Sequence, residues 1–126
     1  MNKILQLMQD KPQLTVVMDQ VGTPTYAPDL AAALISIVSK VFETPETDFG
    51  GVYHYSNEGV ASWFDFAMAI RDISGASCAI LPVTSEQFPA PAARPAYSVL
   101  NKEKIKTTFG LEIPYWRNSL QACLKG

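Results

Sequence analysis

The chain has 126 residues, of which 48% are hydrophobic and 17% charged. This suits one globular domain and excludes a disordered or low-complexity polypeptide. Ten Lys and Arg against twelve Asp and Glu give a formal net charge of −2, so no long-range attraction to nucleic acid or an anionic membrane is expected. Two distant cysteines, Cys78 and Cys123, with a single histidine, His54, make a Cys/His zinc site untenable; both thiols are read as reduced.

In chain order, residues 3–9 place Ile4, Leu5, Leu7 and Met8 on an uncapped helical pattern, as if at the end of a longer helix. A β-branched run at 14–18 predicts a strand after Pro12. Gly22-Thr23-Pro24-Thr25 is a connector. Pro28 and Asp29 then suit the first turn of a helix reaching about Phe42, with apolar residues so widely spread that burial on more than one side is expected. Residues 52–56 alternate aromatic side chains and predict a second strand. Ser62 with Asp65 approximates a capping box for a helix burying Trp63, Phe66, Ala67, Ile70 and Ile73, which Gly75 terminates. A third strand is expected over 78–83. Pro89, Pro91 and Pro95 keep residues 85–98 extended. Asn101 caps a short helix ending at Gly110, and Pro114 opens a last one carrying Trp116, Leu120, Cys123 and Leu124. Strands separated by helices predict a small α/β unit with a mostly parallel sheet. No signal-peptide core and no bilayer-length apolar run occur, which makes a cytoplasmic protein the expectation.

The sequence contains no Gly-x-Gly-x-x-Gly, no P-loop, no Tyr-x-x-x-Lys, no Gly-x-Ser-x-Gly and no His-Glu-x-x-His. Three stretches stand out: Asp19-Gln20-Val21-Gly22-Thr23-Pro24-Thr25-Tyr26-Ala27-Pro28-Asp29-Leu30-Ala31; Val52 to Gly59 followed by Ser62-Trp63-Phe64-Asp65-Phe66-Ala67; and Arg94-Pro95-Ala96-Tyr97-Ser98-Val99-Leu100-Asn101. With the Ile113-Pro114-Tyr115-Trp116-Arg117 ending, their order and spacing resemble the C-terminal, substrate-side portion of the dTDP-4-dehydrorhamnose reductase family, which are extended short-chain dehydrogenases/reductases.

The resemblance implies a two-part enzyme. An N-terminal Rossmann region binds NADPH (or NADH) and supplies a Tyr/Lys pair, and the C-terminal part closes over the nucleotide sugar, dTDP-4-dehydro-L-rhamnose, as its 4-keto group is reduced. Residues 1–126 then form a single substrate-binding domain, with no cofactor of its own and inactive alone. Met1 is expected to mark a truncation or an incomplete gene rather than a natural start. The partners implied are the dTDP-sugar and the Rossmann region, with no nucleic acid and no membrane. A weak homodimer through the apolar helix at 28–42 is also expected.

By the same resemblance an Arg-Pro pair at the place of Arg94 faces the nucleotide diphosphate. A guanidinium fork matches phosphate oxygens, and Pro91 and Pro95 restrain its loop; a structural salt bridge or carbonyl clamp is the other reading. Tyr97 and Ser98 are candidates for contact with base or phosphates, or else for packing and capping. Gln20 and Thr23 flank the Gly22 turn that the resemblance places near the site, although Gln20 equally suits a bond that ties down its own turn. Asp29 reads as a helix-start charge, His54, Trp63 and Trp116 as packing residues, and Glu58 as solvated. No residue here is expected to be catalytic or to bind metal or cofactor. Two other functions stay open: part of another nucleotide-sugar reductase or epimerase, and a non-catalytic protein-interaction module.

Overall fold

The computed structural model describes residues 2–88 and 92–126; Met1, Pro89 and Pro91, invoked above, lie outside the described residues. The elements are α1 (Asn2–Asp10), β1 (Gln13–Val17), β2 (Val21–Gly22), α2 (Ala27–Glu43), β3 (Ala61–Ser62), α3 (Trp63–Ser74), β4 (Ala79–Val83), α4 (Glu103–Phe109) and α5 (Trp116–Lys125). Among the described residues, no helix is long and apolar enough to cross a membrane.

The main sheet is β1 beside β4, parallel, in register from Gln13↔Ala79 to Val17↔Val83. The expected parallel α/β arrangement is therefore present, in two strands. Alternation along each strand turns Leu14, Val16 and Ile80 toward one face, where α1 and α3 cover them. Ala67, Ala69 and Ile70 of α3 are fully buried there, and Met8, Trp116 and Leu120 complete the core. Thr15 and Leu81 alternate to the other face and are exposed.

The start of α3 follows from its sequence. Ser62 Oγ accepts the Asp65 amide at 3.0 Å while Asp65 Oδ2 accepts the Ser62 amide at 2.9 Å, a reciprocal box that satisfies two otherwise orphaned donors. Gly75 ends this helix at φ +72° and Gly110 ends α4 at φ +67°, both left-handed. Asn101 Oδ1 accepts the Glu103 amide at 2.8 Å, one residue ahead of the cap position itself, Lys102.

Three expectations need correction. Residues 52–56 form no strand: the Tyr53 ring packs on Phe109 at 5.1 Å, and Lys104 Nζ donates to the Val52 carbonyl at 3.1 Å. Side-chain anchors to α4 hold the segment where a ladder partner was expected, and His54 is exposed beside it. Conversely, β2 and β3, two residues each and too short for any periodic signal, form a second, antiparallel sheet with Val21↔Ser62 and Gly22↔Ala61. Finally, α2 is covered along one stripe only. Leu30, Ala33 and Ile37 form a groove with Phe49, Ile105 and Phe109, but Ile35, Val38 and Phe42 stay 69%, 53% and 81% exposed.

Candidate functional site

Val21 brings three distant segments together. On one side it pairs with Ser62; on the other, its amide donates to the Ala96 carbonyl and its own carbonyl accepts the Ser98 amide, both at 2.8 Å. Residues 96–98 therefore lie along β2, bridged at Val21↔Tyr97. Gly22 permits the close approach, since a Cβ there would fall 3.0 Å from Ser98 Oγ. Between this seam, the start of α3 and the inner side of α5 lies a cavity of about 550 Å³.

Four of the five sequence-named candidates line this cavity: Gln20, Thr23, Arg94 and Ser98. Gln20 Nε2 donates to Ser85 Oγ at 2.9 Å, so the side chain is tied to a residue 65 positions away rather than to its own turn. Thr23 Oγ1 donates to the Gly59 carbonyl at 2.9 Å, and Ser98 Oγ to the Val21 carbonyl at 3.1 Å. Arg94 is exposed, with no hydrogen bond or ion pair to another described residue. Tyr97 is 65% exposed and is not part of the cavity wall.

Other wall residues came from no sequence reading of the site. Trp63, expected in the core, is 49% exposed and lines the cavity. Phe66, half-buried, sits 6.0 Å from the Trp116 ring. Trp116 is 5% exposed, as a packing residue should be, yet it also contributes to the wall; its buried Nε1 has no partner among the described residues. Cys123 lines the cavity as a half-buried free thiol; Cys78 is free and buried in the core.

Behind the connector at 23–26 is a buried polar cluster. Asn57, with no exposed surface, accepts the Tyr26 amide at 2.8 Å through Oδ1. Its Nδ2 donates to Asp29 Oδ2 at 2.6 Å, Ser119 Oγ at 2.9 Å and the Pro114 carbonyl at 3.1 Å. Ser119 Oγ donates to the same Asp29 oxygen at 2.5 Å, so Asp29 serves a junction between α2 and α5 as well as a helix start. Lys102, 7% exposed, donates to the Asn57 carbonyl at 3.2 Å and pairs with Glu58 at 3.3 Å; Lys106 meets the other Glu58 oxygen at 2.8 Å. Glu58 is thus paired rather than simply solvated. Gly59, at φ +90°, completes the corner: a Cβ there would overlap the Tyr115 ring and lie 2.8 Å from Trp116 Cδ1.

The electrostatics follow these contacts. The hydrogen bond from Lys106, opposed by partial burial and aided by Lys102, holds the Glu58 carboxyl below the usual range. Backbone and hydroxyl bonds from Ser85 lower Asp19. Burial, with the Asp29 charge, raises Tyr55. Among the described residues, no group of three His, Cys, Asp or Glu side chains is arranged to hold a metal ion. The starts of α2 and α3 carry no glycine-backed phosphate cradle: the Tyr26 amide is taken by Asn57, Pro28 has none, and the capping box occupies those of Ser62 and Asp65. What the cavity does offer is a guanidinium fork and small hydroxyls beside aromatic rings, suited to a ligand with a flat apolar end and an anionic one.

Residues 1–126 match the family model of the RmlD substrate binding domain. A spore coat polysaccharide biosynthesis protein of Bacillus subtilis, SpsK, is 43% identical over 97% of this chain and 40% of its own length. A dTDP-4-dehydrorhamnose reductase of Sinorhizobium fredii is 35% identical, over 93% of this chain and 41% of its own. Among solved structures, the dTDP-4-dehydrorhamnose reductase of Bacillus anthracis in complex with NADP superposes at a TM-score of 0.83 with 34% identity, covering 96% of this chain and 41% of that one. The chain thus spans about two fifths of the length of these relatives. Carrying the whole substrate-side pattern, from the connector at Gly22 to the end of α5, it belongs to the RmlD substrate-binding domain family.

Proposed function

We propose that this chain is the dTDP-sugar-binding domain of a dTDP-4-dehydrorhamnose reductase, which reduces dTDP-4-dehydro-L-rhamnose to dTDP-L-rhamnose with NADPH. The single observation carrying this reading is Arg94, a guanidinium without a protein partner among the described residues, in the wall of an aromatic-lined cavity. Such a fork recognises a diphosphate by paired, charge-assisted hydrogen bonds. Ser98, Thr23 and Gln20 share the wall and supply polar contacts around it. Nicotinamide binding and the proton-donating Tyr/Lys pair belong, in this proposal, to an N-terminal Rossmann region. One feature supports such a neighbour: the outer face of the β1–β4 sheet is open at Thr15 and Leu81, whereas parallel sheets are ordinarily covered on both faces.

Calorimetric titration of the chain with dTDP tests the proposal. Arg94→Ala is expected to weaken binding by about 2–4 kcal/mol, through loss of a charge-assisted contact. Arg94→Lys should recover only part, because an ammonium does not reproduce the fork. Equal affinity in the parent chain and the alanine variant would remove Arg94 from the site.

A further inference from the structure

Because β1 and β4 run parallel, their carboxyl ends lie together, and open α/β sheets receive ligands at that end. Asp19 follows one strand and Ser85 the other. The pairing continues past both: the Met18 amide donates to the Val83 carbonyl at 2.9 Å, and the Ser85 amide to both Asp19 carboxylate oxygens at 3.0 Å. A turn holds the Ser85 backbone in place, with the Gln87 amide on the Thr84 carbonyl at 3.1 Å and the Phe88 amide on the Ser85 carbonyl at 3.2 Å. The proposed function assigns Asp19 and Ser85 no role, yet Gln20, in the cavity wall, is bonded to Ser85.

The donor and acceptor in each bond of this chain follow from what its members can do. Ser85 Oγ lies 2.7 Å from Asp19 Oδ1, and an ionised carboxylate only accepts, so the single hydroxyl proton is committed to it. Towards Gln20, Ser85 Oγ is then left as an acceptor. The group 2.9 Å from it must be Nε2 and not Oε1. Gln20 Oε1, at the other corner of the amide, has no hydrogen-bond partner among the described residues. We infer that Ser85, its hydroxyl set by Asp19, is a positioning residue that fixes Gln20 with Oε1 as an acceptor, so that this part of the cavity selects an alcohol hydroxyl of the ligand. This rests on the nucleotide-sugar reading proposed above and deepens it. The diphosphate and keto oxygens of that ligand only accept hydrogen bonds, whereas its hydroxyls, on the deoxyribose and on the hexose, also donate. An untied glutamine turns either end of its amide to a ligand and does not separate donors from acceptors; one tied through Nε2 does.

The experiment measures calorimetric affinities for dTDP-L-rhamnose, dTDP and 3′-deoxythymidine diphosphate. The first carries hexose and deoxyribose hydroxyls, the second the deoxyribose hydroxyl alone, and the third no alcohol hydroxyl. Gln20→Ala is expected to weaken a ligand whose hydroxyl is read by about three- to tenfold, the range of one neutral hydrogen bond, and Ser85→Ala by about threefold or more. The 3′-deoxy compound should bind every variant as it binds the parent. A loss shared by dTDP and dTDP-L-rhamnose assigns the hydroxyl to the deoxyribose; a loss confined to dTDP-L-rhamnose assigns it to the hexose. Ser85→Thr keeps the hydroxyl and should stay within about twofold of the parent. Since Ser85 acts through Gln20, Ser85→Ala should add nothing in a Gln20→Ala background. Additive losses in the double variant overturn the positioning role, as does parent-like affinity for all three ligands in Gln20→Ala or Ser85→Ala. Equal weakening of the 3′-deoxy compound also overturns the inference, because no hydroxyl is then being read. Each of these results leaves the proposed function standing. A parent chain that binds none of the three ligands sinks both.

Discussion

The polar cluster around Asn57 and the Arg94 rim, near neighbours in space, use polar groups in opposite ways. At the cluster every donor and acceptor named above is answered from within: Asn57 alone joins Tyr26, Asp29, Pro114, Ser119 and Lys102. At the rim the backbone is held by two bonds to Val21, while the Arg94 side chain has no partner among the described residues. A buried group that is fully satisfied contributes rigidity, and losing one partner leaves the others with a desolvation penalty. An exposed cation incurs no such penalty and keeps its donors for a ligand. The cluster should therefore be sensitive to substitution through stability, and the rim through binding.

The strongest way to break that contrast is Gly59→Ala. Its φ of +90° disfavours any side chain, and the new methyl would collide with the rings of Tyr115 and Trp116. A stability loss of about 3 kcal/mol or more is expected in chemical denaturation. A variant with parent-like stability would mean that the corner yields easily and the cluster is not rigid. Next is Asn57→Ala, which strands the Tyr26 amide and the Asp29 carboxylate; a loss of about 2–3 kcal/mol is expected from the same measurement. Less than about 0.5 kcal/mol would show that water replaces the side chain and that the cluster resembles the rim after all.

The smallest effect is electrostatic. The Glu58 carboxyl is depressed in the folded chain, so its contribution is present above the ordinary glutamate value of about 4.3 and fades as pH falls through the lower, folded value. The side chain is 34% exposed, and solvent screening limits the effect to a few tenths of a kcal/mol. Comparing the chain with Glu58→Gln by denaturation at neutral pH and near pH 3 should show a small difference that closes in acid. A difference that persists unchanged at acid pH would assign the role of Glu58 to packing rather than charge.

Much of the scaffold was legible because its signals are local. Ser62 and Asp65, Gly75 and Gly110 mark their helix ends with side chains that act within a few residues. The runs at β1 and β4 were equally clear. The strand expected at 52–56 failed because aromatic alternation reports what a residue tolerates, not whether a partner strand is available; here α4 took the rings. Trp63 misled for a geometric reason. Helical spacing groups it with Phe66 and Ile70, but side chains lean toward the N-terminus, so the first residue of a helix projects past the surface its successors cover. Gln20, Thr23, Arg94 and Ser98 came from family resemblance together with donor chemistry. No local signal brings residues 94–98 to Val21, because that contact spans nearly the whole length of the intervening fold.

That span bears on how the protein assembles. The bond from Ser98 to Val21 joins positions 77 apart, the cluster bond from Ser119 to Asp29 joins positions 90 apart, and the α3 cap closes over three. Chain closure over such distances carries an entropic penalty that short-range contacts do not. Closing the cavity therefore costs more chain entropy than forming the α3 cap. A ligand held at Arg94 would bind only the closed form, and mass action would then stabilise that seam.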